Sequence, residues 1–237
     1  MSFGRLGLLG AGFSRLGARK TAAGGGGGVS PVVATFVDVD SSGTDLTVYD
    51  FIGVSLGDAE KLVVAIVGRS GGTPTISSVT VHTPDLATDP TGTALSSIAF
   101  IQAFGNVAAI FAVNRPSGQA TGDIRVTFST GLVRCGIVTY KMTTYAGTPV
   151  IGTSSAAPPT ATLDVPANSA VIGVAFNGQM TTCTPTNLSE DHDGQVGGES
   201  AAFSAASSNS ASGSTVFTLT FAAQTSPVGA FAAFPPS

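Results

Sequence analysis

His192 stands in the run Glu190-Asp191-His192-Asp193, a tight grouping of titratable side chains in this 237-residue chain. An imidazole between carboxylates is a pattern that general bases and metal ligands use. The run follows Leu188-Ser189 and leads into Gly194-Gln-Val-Gly-Gly198, so it also reads as the tip of a polar loop continuing to residue 199. A solvated loop is the simpler account. On that account Glu190, Asp191, His192 and Asp193 are candidate receptor contacts rather than catalysts. His82 follows the alternating Ser78-Val-Thr-Val81 and precedes Pro84, which places it at the surface end of a strand. Asp38-Val-Asp-Ser-Ser-Gly-Thr-Asp45 imitates a calcium loop, with acids at its first and third positions and glycine at its sixth. Tyr49 stands where the bidentate acid belongs, so a turn through Ser41-Ser-Gly43 is preferred to an ion on Asp38, Asp40 and Asp45.

The remaining chemistry is sparse. Cys135 lies in an apolar run and Cys183 in a Thr/Pro loop. Two such thiols make neither a disulfide framework nor a zinc site, and suit a chain folded in a reducing cytosol. Gly10-Ala-Gly12 lacks a preceding strand, and Arg15 replaces the third glycine of a dinucleotide loop. Asn187-Leu-Ser189 is a glycosylation sequon without other signs of a secretory setting. The expectation is a protein that is not an enzyme, with no catalytic residue, no metal and no cofactor.

The elements that must carry these residues are strands. Only 10% of residues are charged and 43% are hydrophobic, with 31 glycines, 13 prolines and no tryptophan, a composition opposed to disorder. Alternation at 34–39 and 46–49, continuous apolar runs at 62–67 and 171–176, and shorter runs at 76–82, 95–103, 107–114, 123–129, 135–142, 160–165, 201–205, 215–221 and 228–234 predict strands. Gly, Pro, Asn and Asp punctuate them every 8 to 14 residues. The pattern predicts an all-β chain: an antiparallel β-sandwich, jelly-roll-like, preceded by an extended N-terminal anchoring arm. The run 98–113 falls short of a membrane span and is broken by Gln102, Gly105 and Asn106, so no membrane insertion is expected. The run at 62–67 and its Thr73-Pro-Thr75 exit are echoed by 170–176 and Thr184-Pro-Thr186. The echo fits either a duplication or two central strands of facing sheets.

Organisation follows composition: an arm over 1–21, a glycine-rich hinge over 22–32 and a β-sandwich domain over 33–237. The first 20 residues hold Arg5, Arg15, Arg19 and Lys20 and no acid, leaving six basic against fourteen acidic residues in the remainder. Phe3-Gly-Arg-Leu-Gly7 recurs as Phe13-Ser-Arg-Leu-Gly17. Cations interleaved with Phe and Leu suit docking on protein better than on nucleic acid, which is not expected as a partner. Phe3, Arg5, Leu6, Leu8, Leu9, Phe13, Arg15 and Leu16 are the candidate anchors. Basic residues directly after the apolar stretch, with no small-x-small site, argue against a secretory signal.

The arm, Met-Ser-Phe-Gly-Arg-Leu-Gly-Leu-Leu-Gly-Ala-Gly-Phe-Ser-Arg-Leu-Gly17, resembles the start of small virion structural proteins (tail fibre, spike or decoration) of tailed bacteriophages and of gene-transfer-agent-like particles of α-proteobacteria. The likeness covers the arm; beyond it the match is one of architecture. The resemblance implies a non-enzymatic virion component assembled in the bacterial host cytoplasm, without catalytic residues to carry over. Partners expected on this reading are other virion proteins held by the arm and copies of the chain itself, a trimer being favoured. A host-surface glycan is a further candidate. Tail attachment as fibre or spike leads; capsid decoration or vertex spike, and a lectin-like glycan-binding module, are the alternatives.

Overall fold

The computed structural model describes residues 29–116, 118–132, 134–198 and 200–236. The anchors Phe3, Arg5, Leu6, Leu8, Leu9, Phe13, Arg15 and Leu16, and the hinge up to Gly28, lie outside these residues. The described residues contain fifteen strands and no helix, with all pairings antiparallel.

The first nine strands are β1 (Ala34–Ser42), β2 (Leu46–Ser55), β3 (Lys61–Arg69), β4 (Ile76–His82), β5 (Thr93–Ala94), β6 (Ser96–Ala103), β7 (Asn106–Asn114), β8 (Thr121–Leu132) and β9 (Arg134–Met142). They form a sheet of order β1-β9-β3-β7-β6 and a second of order β2-β8-β4-β5. Apart from the paired neighbours β4–β5 and β6–β7, consecutive strands switch sheets, and the last strand of the unit lies beside the first, which is jelly-roll winding. The run 98–113 is no span but a hairpin. Its turn, Phe104-Gly105, has φ of 56° and 77°, the doubly left-handed backbone of a tight β-hairpin. Gly105 is required there for a second reason: a Cβ would sit 2.4 Å from the carbonyl oxygen of Ser70.

The same winding is then repeated. β10 (Val150–Ser154), β11 (Thr160–Asn177), β12 (Cys183–Thr186), β13 (Ser189–Gln195), β14 (Ala202–Phe221) and β15 (Val228–Phe234) pair in the order β10-β15-β11-β14-β12, with β13 also on β14. Register shifts between Val165 and Val171 divide the β11–β14 ladder in two. Its inner half, with β10, β15 and β13, reproduces the order β1-β9-β3-β7-β6 strand for strand. Its outer half, joined by β12, reproduces β2-β8-β4. The chain is a tandem of two jelly rolls, and the echo between 62–67 and 170–176 is the pair of corresponding central strands.

Three cores lie between the four layers. Leu62, Val64 and Ile66 of β3 point into the interior of the first roll. Val63, Ala65 and Val67 of the same strand face Ile172, Val174 and Phe176 of β11 in a core shared by both rolls. The third core lies within the second roll, where Phe217, Leu219 and Phe221 close over Val171 and Phe231. Strands covered on both faces need apolar residues at every position, which is why 62–67 and 171–176 do not alternate. Val32 is fully buried in the shared core, its amide donating to the Asn168 carbonyl at 2.9 Å. Val33 and Thr143 exchange hydrogen bonds. The described chain therefore begins on the seam between the rolls.

Candidate functional site

Two bulged edge strands, β1 and β13, flank that seam. β1 is an edge strand whose register slips between Phe36 and Asp38. β13 pairs with β14 alone, and its register slips between Glu190 and His192, leaving Asp191 as the extra residue. A bulge bends its strand and re-aims the extra side chain. Here it turns Asp191 inward, where its Oδ2 accepts a hydrogen bond from the Tyr140 hydroxyl at 3.0 Å. The Ser207 hydroxyl of β14 donates to the same carboxylate. Tyr140 itself is fully buried in the shared core. Burial first, and the nearby Asp191 carboxylate second, push its phenol well above the ordinary range, so it remains a donor. Asp191 is half-buried, and loss of water raises its pKa in spite of the two hydrogen bonds.

Around this carboxylate opens a cleft of about 420 Å³ lined by Ala34, Thr35, Phe36, Ser189, Asp191, Ser207, Ser208 and Asn209. Asn209 fixes the opposite wall. Its Oδ1 accepts from the Ala34 amide at 2.7 Å and its Nδ2 donates to the Ala34 carbonyl at 3.0 Å, so an amide side chain completes the edge of β1. Phe36 stands edge-on to Tyr140, with ring centroids 6.3 Å apart. The wall thus offers one carboxylate, several hydroxyls and one aromatic ring, with neither Lys nor Arg among the lining residues. A different cavity of about 510 Å³, at the open edge of the first roll, is walled mainly by Ile76, Val79, Leu95, Phe100 and Phe111. It brings no charged side chain together.

The loop expected over 190–199 is corrected in its first half: Glu190, Asp191, His192 and Asp193 lie on strand β13. Their polarity misled because β13 is an edge strand that needs little apolar covering. Glu190 is exposed. The His192 ring packs on Phe203 at 4.4 Å between centroids, and burial lowers its pKa. Asp193 Oδ2 accepts from the Cys183 amide at 2.8 Å, tying β13 to β12. Only Asp191 of the four lines the cleft. Glycoside hydrolysis uses two carboxylates across a bond, and this cleft supplies one.

His82 is likewise corrected. It is buried, with 1% of its surface exposed, because the segment 83–92 folds over the strand end. Nδ1 lies 2.6 Å from the Asp89 carbonyl and Nε2 lies 2.7 Å from the Thr80 hydroxyl. Asp38 and Asp40 of the calcium-like run are occupied by backbone amides. Asp38 Oδ1 accepts from Val39 and Oδ2 from Ser55, while Asp40 Oδ1 accepts from Ser41. These carboxylates cap an edge strand that would otherwise present free donors, and residues 43–45 form the turn to β2. Among the described residues no group of three or more metal-ligating side chains converges. Cys135 and Cys183 are both buried and unpaired.

Tyr140, Ser207, Ser208, Asn209, Thr35 and Phe36 were not singled out by sequence. Tyr140 carried a signal, since a phenol inside an apolar strand requires a polar partner. The Ser207-Ser-Asn209 run carried none, being buried in a Ser/Ala-rich stretch. Comparison of the chain with protein-family models, with curated proteins and with solved structures finds no match.

Proposed function

We propose that this chain is a non-enzymatic structural protein of a bacteriophage or phage-like particle, a tail-associated fibre or spike component whose residues 1–20 anchor it and whose tandem jelly rolls project toward the host surface. The observation that carries the reading is the contrast in charge and composition along the chain. An acid-free, Phe/Leu/Arg-rich arm joins an acid-rich body through five glycines. The exposed Val29, at 49%, lets such an arm leave the body without disturbing a strand. Several arms in one oligomer would add their weak contacts into stable attachment. Deleting residues 1–20 should leave a body with unchanged far-UV circular dichroism that no longer joins particles. Normal incorporation of the truncated chain would overturn the assignment.

Capsid decoration or a vertex spike uses the same anchoring logic in a different socket. The symmetry of the chain in its particle separates them, three-fold favouring fibre or spike and five- or six-fold favouring vertex or ring. A lectin-like role has its own support in the hydroxyl-lined cleft around Asp191.

A further inference from the structure

We infer that the cleft between the bulged edges of β1 and β13 binds one neutral sugar unit of a surface glycan, its hydroxyls donating to the Asp191 carboxylate and its apolar face resting on Phe36. The inference rests on the adhesion reading above for the source of its ligand, and on three features of the seam for its chemistry.

The first is a break in the internal repeat. In the strand correspondence, β10 matches β1 and β6 matches β13. β10 packs against β6 on one side of the shared core, whereas β1 and β13 make no comparable contact on the other. One seam is closed and its counterpart stands open as the cleft. Packing two similar rolls does not by itself require this difference.

The second is the orientation of the carboxylate. Asp191 is the bulged residue, and Tyr140 and Ser207 hold it from the protein side. Hydrogen bonds from behind fix a carboxylate so that its remaining lone pairs face the opening, and a carboxylate can accept from two adjacent hydroxyls at once. Tyr140 is sealed in the core, so this support is independent of ligand.

The third is the balance of groups in the wall. Ser189, Ser208 and Thr35 supply hydroxyls that both donate and accept, which is what a polyol presents in return. Phe36 offers an apolar surface for the C–H face of a sugar ring. With no Lys or Arg in the lining and a carboxylate at its centre, sialylated, phosphorylated or uronic units meet repulsion that nothing offsets. The volume of about 420 Å³ falls within the range of about 300–1,000 Å³ typical of small-ligand sites.

The test is an array of neutral, amino-bearing and anionic oligosaccharides probed with the labelled full-length chain, repeated with Asp191→Asn and with Ser189→Trp. Ser189 is exposed, so tryptophan there fills the cleft without entering a core. The expected result is binding to neutral glycans that falls at least tenfold in Asp191→Asn and disappears in Ser189→Trp, with circular dichroism unchanged in the latter. Binding confined to anionic or amino-bearing glycans, binding unaffected by Ser189→Trp, or no binding to any arrayed glycan overturns the inference. Particle incorporation is scored in parallel. A chain that joins particles but binds no glycan defeats this site alone, whereas a chain that never joins particles defeats the reading of the preceding subsection.

Discussion

Tyr140→Phe removes a single oxygen from a side chain sealed between the two jelly rolls, and its cost measures what the seam contributes. The ring keeps all its packing in the shared core, so no cavity larger than a hydroxyl is made. What is lost is the 3.0 Å hydrogen bond to Asp191. Bonds to charged partners contribute about 1.5–3 kcal/mol. Asp191 is half-exposed and retains Ser207, so water can take the vacated position and the lower end applies. The expected loss is about 1–1.5 kcal/mol. At roughly 2–4 °C per kcal/mol for a chain of this size, Tm should fall by about 2–6 °C. Urea unfolding followed by circular dichroism suits a protein without tryptophan. The decisive form is a double-mutant cycle with Asp191→Ala, which removes the acceptor, where a coupling of about 1 kcal/mol is expected. A cycle with no coupling, or a Tyr140→Phe protein as stable as the parent, would refute the claim that this pair fastens the seam. Tyr140→Ala, which also empties the core, should cost about 3–5 kcal/mol.

The pH dependence has a definite sign. The folded state raises the Asp191 pKa above 3.8 by burial, so it holds the proton at higher pH than the unfolded chain does. This residue therefore lowers stability as pH rises from 3.8 through its raised value, and the cost is fully present above that value. Asp191→Asn should flatten the stability profile in that window and be neutral to stabilising at pH 7; a steeper profile in the variant would contradict it. Ile172→Ala, fully buried in the shared core, should cost about 2–5 kcal/mol and loosen both rolls together. Thiol labelling reports each roll separately. Burial pushes Cys183 in the second roll up to about 11 and Cys135 in the first higher still. Both should resist labelling at pH 8 and become reactive at one denaturant concentration; exposure of one before the other would show that the rolls open independently.

Strands whose residues meet an apolar core were legible from sequence, as at 62–67, 76–82, 135–142 and 228–234, each within a residue or two of β3, β4, β9 and β15. The expected runs at 160–165 and 171–176 proved to be one bent strand, as did 201–205 and 215–221. β12 and β13 escaped notice because edge strands tolerate proline and charge: β12 reads Cys-Thr-Pro-Thr and β13 reads Ser-Glu-Asp-His-Asp-Gly-Gln. His82 reads as a surface residue because no local pattern shows that residues 83–92 return to cover it.

Alternation, turn residues and the composition of the arm are properties of near neighbours, and from them the all-β class, the antiparallel sandwich and the sequence division at the five glycines followed directly. The repeat was visible as an echo, but its meaning depended on which strands pair. The cleft was decided by tertiary structure alone. Asp191 and Tyr140 are 51 residues apart, and Ala34 and Asn209 are 175 apart. Their meeting depends on two register slips and on the packing of one roll against the other. Register is a sum of weak long-range preferences, and a slip of one residue turns a side chain from solvent to seam without leaving a mark in the local sequence.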